Sequence, residues 1–302
     1  MEALLEAALR LALPLLLAAL GELIVEKGGV INIGTEGMML CGAFAGFAVG
    51  AATGSATAGL AGACAASAAM GLVFAWFAVV RRSDQIVVGT AINLLALGLT
   101  GLLARALYHG AVPTGPTLAA VAIPGLSAIP VLGRAVFQQN LLVYIAIGST
   151  LLLAFTLART RPGLMLRAVG ESARAADAQG VDVVGTRMLA IVLGSVLAGL
   201  AGAALSLAQS NTFTEGMTAG RGFIALTIVI FGRWRPVGVL LAALFFGAAS
   251  AFQHRLQARG AAVPYQFSLM LPYLLTLLVL AVAAGRSVAP GDLGKVYSRD
   301  SR

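Results

Sequence analysis

The side chains in this sequence that could do chemistry are polar groups standing at the mouths of long apolar runs. Asn32 and Glu36 come first, in the string GGVINIGTEGMML, and a second group follows in the string AQSNTFTEGM. If the runs cross a membrane, such groups are costly to expose to lipid, so they face a protein interior or a water-filled path. Amides and carboxylates there offer hydrogen bonds to a small polar molecule rather than covalent catalysis. The candidate pathway residues are Asn32, Glu36, Asn93, Gln209, Asn211, Phe213 and Glu215.

Groups suited to catalysis are placed away from these positions. The histidines, His109 and His254, fall at the ends of apolar runs, and the aspartates fall in loops, at run edges or in the tail. No Ser–His pair or aspartate dyad can therefore be assembled within a run. Cys41 and Cys64 have no histidine nearby and make no metal site, and the string GDLGKV lacks the residues of a nucleotide-binding loop. We expect no enzyme, no cofactor and no metal, which leaves transport, a channel or scaffolding.

The segments that must position these residues are long apolar runs. The chain of 302 residues is 59% hydrophobic and 11% charged, which is too few charges to solvate the surface of a soluble domain. A helix needs about 20 apolar residues to cross a bilayer core of about 30 Å. The sequence therefore predicts an all-α, polytopic membrane protein with about eight to ten transmembrane segments. The apolar runs cover residues 11–25, 37–53, 56–80, 85–108, 136–158, 188–208, 217–232, 236–253 and 265–284.

Glycines beside the polar groups predict broken or re-entrant helices. NIGTEG and NTFTEGMTAGRG are both rich in glycine, and a helix break is tolerated in a bilayer only where protein or water satisfies the freed backbone groups. The tetrapeptide Thr-Glu-Gly-Met occurs at 35–38 and again at 214–217, so either two related halves or chance accounts for the match. Glu36 and Glu215 have two open roles. Each either lines a central path or stands as a helix-terminal carboxylate beside an N-terminal dipole.

The distribution of basic residues explains the net charge of +8 without nucleic acid. Cytoplasmic loops of membrane proteins carry an excess of Lys and Arg. If residues 159–187 are cytoplasmic, counting runs outward places the 81–84 loop inside and the proline-containing 109–137 loop outside. The basic groups that fall inside are Arg81 and Arg82, the arginines of 159–187, Arg233 and Arg235, and the tail from Arg286.

The hydrophilic segment 159–187 contains a short predicted helix. The string RPGLMLRAVGESARAADAQG breaks at Gly170, Glu171 and Ser172 suit a first turn, and Gly180 suits a stop. A helix of this length is unstable alone, so it needs a groove to lie in. An amphipathic helix at the membrane surface is the alternative, although an alanine-rich face binds lipid weakly.

Three strings carry a resemblance to a known family. LRAVGESARAADAQGV, residues 166–181, is similar to the cytoplasmic coupling segment of ABC importer permeases in the branched-chain amino acid/ribose/nucleoside superfamily. GVINIGTEGMML and GRGFIALTIVIFGRWRPVG resemble the purine-nucleoside branch, whose permeases work with binding lipoproteins of the basic-membrane-protein type. The likeness extends from Pro14 to about Gly285, with Ser172 where the family pattern leads us to expect Asn.

The resemblance implies one transmembrane permease domain over residues 1–302, with 159–187 as its cytoplasmic coupling segment, in the bacterial cytoplasmic (inner) membrane. It implies an alternating-access pathway for a nucleoside or related small polar metabolite. The implied partners are a cytoplasmic ABC ATPase subunit that hydrolyses ATP, a second homologous permease in a heterodimer, an extracytoplasmic substrate-binding protein, and membrane lipid, with no nucleic acid. The coupling residues implied by the resemblance are Arg167, Gly170, Glu171, Arg174, Ala175, Ala176 and Gly180.

Two alternatives remain beside this function. One is a sugar-type ABC permease of the same superfamily. The other, from a different class, is a secondary transporter independent of ATP. A secondary transporter needs no docking helix of the 170–180 kind and usually carries ionisable residues for ion coupling in several spans, whereas this sequence has few such residues.

Overall fold

Helices make up nearly all of the regular structure in this protein. The computed structural model describes residues 2–109, 113–122, 137–258 and 289–298. Seven helices within these ranges are long and apolar enough to cross a membrane, which confirms the polytopic all-α class. The predicted run at 265–284, most of the 109–137 loop and the tail basic residues Arg286, Arg299 and Arg302 lie outside the described residues.

The first four helices are α1 (Glu2–Lys27), α2 (Thr35–Thr53), α3 (Ala56–Ala75, extended by a π-helical stretch Trp76–Val80) and α4 (Gln85–Tyr108). Helices α2 to α4 follow the predicted runs closely, whereas α1 begins nine residues before its predicted run at 11–25. Asp84 begins α4, because its carboxylate accepts hydrogen bonds from the backbone N–H groups of Ile86 and Val87. Residues 28–34 separate α1 from α2 and start with Gly28 and Gly29. After the prediction above we call them the re-entrant loop.

The region after α4 contains a small ribbon. Strands β1 (Ala120–Ala122) and β2 (Gln138–Asn140) pair antiparallel, with Ala120 opposite Asn140. Helix α5 (Leu141–Arg159) therefore begins later than the apolar run at 136 predicted. Asn140 sets this start, because its side chain accepts a hydrogen bond from the N–H of Val143.

The segment predicted to couple forms two helices, α6 (Arg161–Glu171) and α7 (Ala173–Ala178). The break falls at Ser172 and not at Gly170 as the sequence predicted. Ser172 ends α6 and caps α7 by accepting from the N–H of Ala175, whereas Gly170 stays helical. Gly180 follows α7 with a φ of +82°, as its predicted stop requires.

The last described helices are α8 (Val183–Ala203, extended as a π-helix Ala204–Gln209), α9 (Arg221–Phe231) and α10 (Pro236–Ala258). Helix α9 has 11 residues, about 16 Å of rise, which is half of a bilayer core. It begins later than the run at 217 because residues 215–220 form turns in which Ala219 and Gly220 have positive φ.

Small residues bring the central helices together. A Cβ on Gly42 of α2 would lie 2.6 Å from Cα of Gly199 in α8, and one on Gly202 would lie 2.0 Å from the carbonyl oxygen of Met39. No larger side chain fits at these crossings without a shift of backbone. Close approach of this kind supports helix association in lipid, where apolar surface gives little drive to pack.

Candidate substrate pathway and coupling surface

Glu36 joins the starts of two helices that belong to distant parts of the chain. It is half-buried in the first turn of α2. Its Oε1 accepts a hydrogen bond from the N–H of Gly220 at 2.8 Å, and its Oε2 accepts one from the N–H of Gly222 at 2.6 Å. The carboxylate thus stands at the N-terminal ends of α2 and of α9, where helix dipoles favour a negative charge. We call Glu36 with Gly220 and Gly222 the Glu36 clamp.

Gly222 allows the close approach that the Glu36 clamp requires. A Cβ at that position would lie 2.6 Å from Cα of Glu36. The two backbones therefore touch, and a short side chain such as Glu can reach both N–H groups of α9. This arrangement agrees with the second of the two roles left open for Glu36, a carboxylate beside an N-terminal dipole, and the dipole belongs to another helix as well as its own.

Asn93 makes a second bridge, between α4 and the end of the re-entrant loop. Its Oδ1 accepts from the N–H of Gly37 at 2.8 Å, and its Nδ2 donates to the carbonyl oxygen of Ile33 at 3.0 Å. Both are backbone groups that the helix break leaves without an intrahelical partner. One half-buried amide side chain therefore satisfies a donor of α2 and an acceptor of the loop and fixes both against α4.

Asn32 is buried inside the re-entrant loop, with 1% of its surface exposed. Its backbone N–H donates to Glu22 Oε1 at 3.0 Å and its Nδ2 lies 3.4 Å from the sulfur of Met38. Its Oδ1 has no hydrogen-bond partner within the described residues. Of the predicted pathway residues in this loop, Asn32 is thus the one that retains an unused acceptor.

Two residues that the sequence analysis did not propose complete the support of the loop. Buried Glu22 of α1 accepts from Thr35 Oγ1 at 2.7 Å as well as from Asn32, and Gln85 of α4 accepts from the N–H of Ile31 at 2.8 Å. Both stand within or at the mouth of an apolar run. The sequence signal is the one that Asn32 carries, a polar side chain beside or within an apolar stretch.

The second predicted group lies apart from the first and makes different contacts. Gln209 Nε2 donates to the carbonyl oxygen of Arg10 at 2.7 Å, and the carbonyl oxygen of Asn211 accepts from the N–H of Gly115 at 2.7 Å. Exposed Glu215 lies 3.6 Å from the guanidinium of Arg105. These residues join α8 and the following turn to other segments and do not form one cluster with Asn32 and Glu36.

Phe213 belongs to an aromatic cluster between α2 and α4. It is 1% exposed and packs edge-on against Phe44 with ring centroids 5.2 Å apart, while Phe47 meets Tyr108 at 5.6 Å. Aromatic pairs at such distances stabilise packing. The ring of Phe213 is buried by these contacts and lies on the α2 side of the turn that leads to α9.

The two Thr-Glu-Gly-Met strings adopt different structures. The first begins helix α2, whereas the second forms a turn in which the N–H of Met217 bonds to the carbonyl of Thr214. Glu36 accepts hydrogen bonds from two backbone N–H groups, whereas Glu215 forms an ion pair with an exposed arginine. The repeated tetrapeptide therefore marks no shared local structure.

The predicted coupling residues divide into an outer and an inner set. Gly170 and Ala176 are buried: Ala176 packs with Val169, Ala173 and Val183, and a Cβ on Gly170 would lie 2.2 Å from the carbonyl oxygen of Lys27. The groove that α7 needs is thus supplied by this chain itself. The exposed set is Arg167, Glu171, Arg174, Ala175 and Gly180.

Metal binding finds no support in the described part of the chain, where no group of three or more His, Cys, Asp or Glu side chains is placed to hold an ion.

The seven long apolar helices define a multi-pass membrane protein, and comparison identifies its family. The family described as branched-chain amino acid transport system, permease component, matches residues 4–280. The chain belongs to this permease family, which bears out the resemblance drawn from the three strings. No solved structure matches the chain significantly.

Relatives with curated names are similar over almost the whole chain. The guanosine ABC transporter permease of Bacillus subtilis is 38% identical over 96% of this chain and 95% of its own. A putative glucose ABC transporter permease of Haloferax volcanii is 36% identical over 98% of each chain. The nucleoside ABC transporter permease of Lactococcus lactis is 35% identical over 94% of this chain and 93% of its own. The same organisms each have a second, more distant matching permease.

These findings confirm the predicted class of function. The chain is a permease subunit of an ABC transporter, a transport component and not an enzyme. Membership implies partnership with a separate ATPase and with a substrate-binding protein. The alternative of a transporter independent of ATP receives no support, because the relatives are named as ABC permeases.

Proposed function

We propose that this permease carries a nucleoside or a related uncharged polar metabolite across the bacterial cytoplasmic (inner) membrane. One observation supports an uncharged substrate above the others. In transporters with broken helices, a free half-helix N-terminus attracts the anionic group of a substrate. Here the N-terminal end of α9 is already occupied by the carboxylate of Glu36. An anionic substrate would be repelled there, whereas an uncharged polar substrate would not be.

The choice between nucleoside and sugar rests on the relatives. Guanosine and nucleoside permeases are among them, and so is a putative glucose permease of comparable identity. Both substrate classes are polar and uncharged, so the Glu36 argument admits either. We retain the nucleoside as the proposal, because the strings around Asn32 and Glu36 resemble the purine-nucleoside branch, and the sugar as the second candidate.

Uptake in cells separates these candidates. A strain lacking this permease should lose uptake of labelled guanosine and regain it when the gene is restored, with unlabelled adenosine competing and glucose not competing. Loss of glucose uptake with guanosine uptake intact would replace the nucleoside by the sugar. Ligand analysis of the purified binding protein provides an independent check, because that protein should copurify with the same substrate.

The proposed domain layout assigns the ends of the bundle to different partners. Residues 1–302 form one permease domain, and the exposed face of α6 and α7 within 159–187 meets the ATPase. Arg167, Glu171, Arg174 and Ala175 would make the contact, and buried Gly170 and Ala176 would support it from beneath. A second homologous permease would complete a heterodimer, which the paired permeases of the related organisms support. The extracytoplasmic binding protein would meet the opposite end.

Cysteine cross-linking tests this contact. A cysteine at exposed Ala175 should cross-link to the ATPase in the purified complex, whereas one at exposed Ala106 in α4 should not. Equal cross-linking at both positions, or none at Ala175, would contradict the assignment of α7 as the docking helix.

A further inference from the structure

The C-terminal segment 289–298 folds back onto α6 and α7. Asp292 Oδ2 accepts a hydrogen bond from the N–H of Ala173, the first residue of α7, at 2.8 Å. The N–H of Asp292 donates to the carbonyl oxygen of Gly170 at 2.9 Å. Gly291 approaches so closely that a Cβ there would lie 2.7 Å from the carbonyl oxygen of Glu171. The segment therefore holds the junction between α6 and α7 by side chain and by backbone.

The same segment holds the start of the re-entrant loop. The N–H of Gly294 donates to the carbonyl oxygen of Gly29 at 3.1 Å. Arg187 of α8, 3% exposed, donates from Nε to the carbonyl oxygen of Gly28 at 3.1 Å and from Nη1 to that of Lys295 at 3.0 Å. One buried guanidinium thus ties the loop to the C-terminal segment.

These contacts connect α7 with the re-entrant loop. On one side lies α7, which has six residues and is too short to be stable without external support. On the other side lies the loop that leads through Asn32 to the Glu36 clamp. Chains of hydrogen bonds between short backbone segments are the kind of contiguous network through which movement at one site is transmitted to another.

Electrostatics favour the ionised form of Asp292. Partial burial opposes ionisation, but the hydrogen bond from Ala173, the ammonium of Lys295 at 3.2 Å and the charge of Arg187 outweigh it and lower the pKa of Asp292 below its usual value. Because the folded pKa is depressed, the contribution of this carboxylate to stability is present above its unfolded pKa. It is lost only as the pH falls through the folded value, so the contact is intact at neutral pH.

We propose that the C-terminal segment 289–298 links α7 to the re-entrant loop so that the two move as one unit during transport, with Asp292 of the segment and Arg187 of α8 as the positioning residues. The role in transport rests on the proposed docking of the ATPase on α6 and α7. The mechanical link itself concerns this chain alone.

Hydrogen exchange in the purified permease tests the link without any partner. Asp292→Ala removes the acceptor for the N–H of Ala173, and exchange should rise about 10-fold or more, the effect of losing one charge-assisted hydrogen bond. The rise should appear both in α7 and in residues 28–31. The matched control is Asp182→Ala, since Asp182 accepts from the N–H of Gly185 at the start of α8. The control should raise exchange at α8 and leave residues 28–31 unchanged. A rise confined to α7, or no rise, would overturn the link.

Coupling is measured in proteoliposomes that hold the whole transporter and its binding protein, with labelled guanosine as the probe. In Asp292→Ala and Arg187→Met, guanosine imported per ATP hydrolysed should fall at least 5-fold while the ATPase stays bound. Val296→Ala should behave as wild type, because the side chain of Val296 lies in the same segment but is 48% exposed. Unchanged import per ATP in both test variants would refute the role in transport. A wild-type permease that retains no ATPase would instead refute the proposed docking and the role in transport with it, and the exchange result would still decide the link.

Discussion

Replacing Glu36 by Gln should clearly destabilise the permease, although the two side chains have nearly the same size and shape. Glu36 accepts hydrogen bonds from two backbone N–H groups at the start of α9, with N···O distances of 2.8 and 2.6 Å. Gln has one acceptor oxygen and turns an NH₂ group toward the other N–H, so one donor loses its partner. An unpaired, partly buried N–H costs about 1–3 kcal/mol, and removing a charge from a helix N-terminus costs about 0.3–1 kcal/mol more. The expected loss is therefore about 1–4 kcal/mol of unfolding free energy.

The same tetrapeptide provides a matched control. Glu215→Gln makes an identical change in an identical Thr-Glu-Gly-Met string, but Glu215 and its partner Arg105 have half or more of their side-chain surface exposed. Exposed ion pairs of this kind are worth about 0–1 kcal/mol. Any effect of the substitution that is independent of the clamp should appear equally in both variants.

Thermal unfolding in detergent measures the difference. A thiol-reactive dye reports unfolding because Cys41 is buried at 6% exposure. Glu36→Gln should lower the midpoint by several degrees and reduce guanosine uptake, whereas Glu215→Gln should shift the midpoint by about 2 °C or less. Equal midpoints for the two variants would refute the clamp. A stable Glu36→Gln protein that has lost only uptake would assign Glu36 to the substrate instead.

The remaining predictions concern the loop, the coupling segment and orientation. Asn93→Leu leaves a donor of α2 and an acceptor of the re-entrant loop unpaired, so it should lower the unfolding midpoint about as much as Glu36→Gln in the same assay. Gly170→Val should disrupt α6 and release the ATPase in a pull-down, because even a Cβ meets the carbonyl of Lys27 at 2.2 Å, whereas Gly148→Val, with nothing within 4 Å, should not. In a cysteine-free background, an impermeant thiol reagent applied to intact cells should label Thr117→Cys and not Ser83→Cys; the reverse pattern would invert the orientation.

The spans were predictable because hydropathy alone determines them. Helices α2 and α4 begin and end within a few residues of the runs 37–53 and 85–108, since a bilayer core demands a fixed length of apolar chain. The half-length of α9 was predictable because the charged Arg221 leaves only a short apolar run before residue 232. The start of α5 was not, because the cap at Asn140 and the strand before it depend on pairing with a distant segment.

The candidate site was predictable as a set of residue types and not as an arrangement. Asn32, Glu36 and Asn93 were found because a polar group at membrane depth needs a partner. Nothing in the spacing indicated that the partners of Glu36 would be backbone groups about 185 positions away, at Gly220 and Gly222. The helix break at Ser172 was wrongly predicted at Gly170 because a local sequence signal was misleading. A glycine indicates a break locally, yet Gly170 is needed for close approach to another segment.

The re-entrant loop is where these observations meet. A broken helix in a membrane must have its backbone groups satisfied by protein or water. Here the partners of the loop come from three parts of the chain: Glu22 of α1, Gln85 and Asn93 of α4, and Gly294 of the C-terminal segment. Each of these partners makes a directional hydrogen bond with the loop and not a broad apolar contact. A small movement of one element therefore changes a specific hydrogen bond in the loop. An apolar junction would slide under the same movement. The polar loop therefore suits a transporter that must convert a displacement at its coupling end into a change at its substrate path.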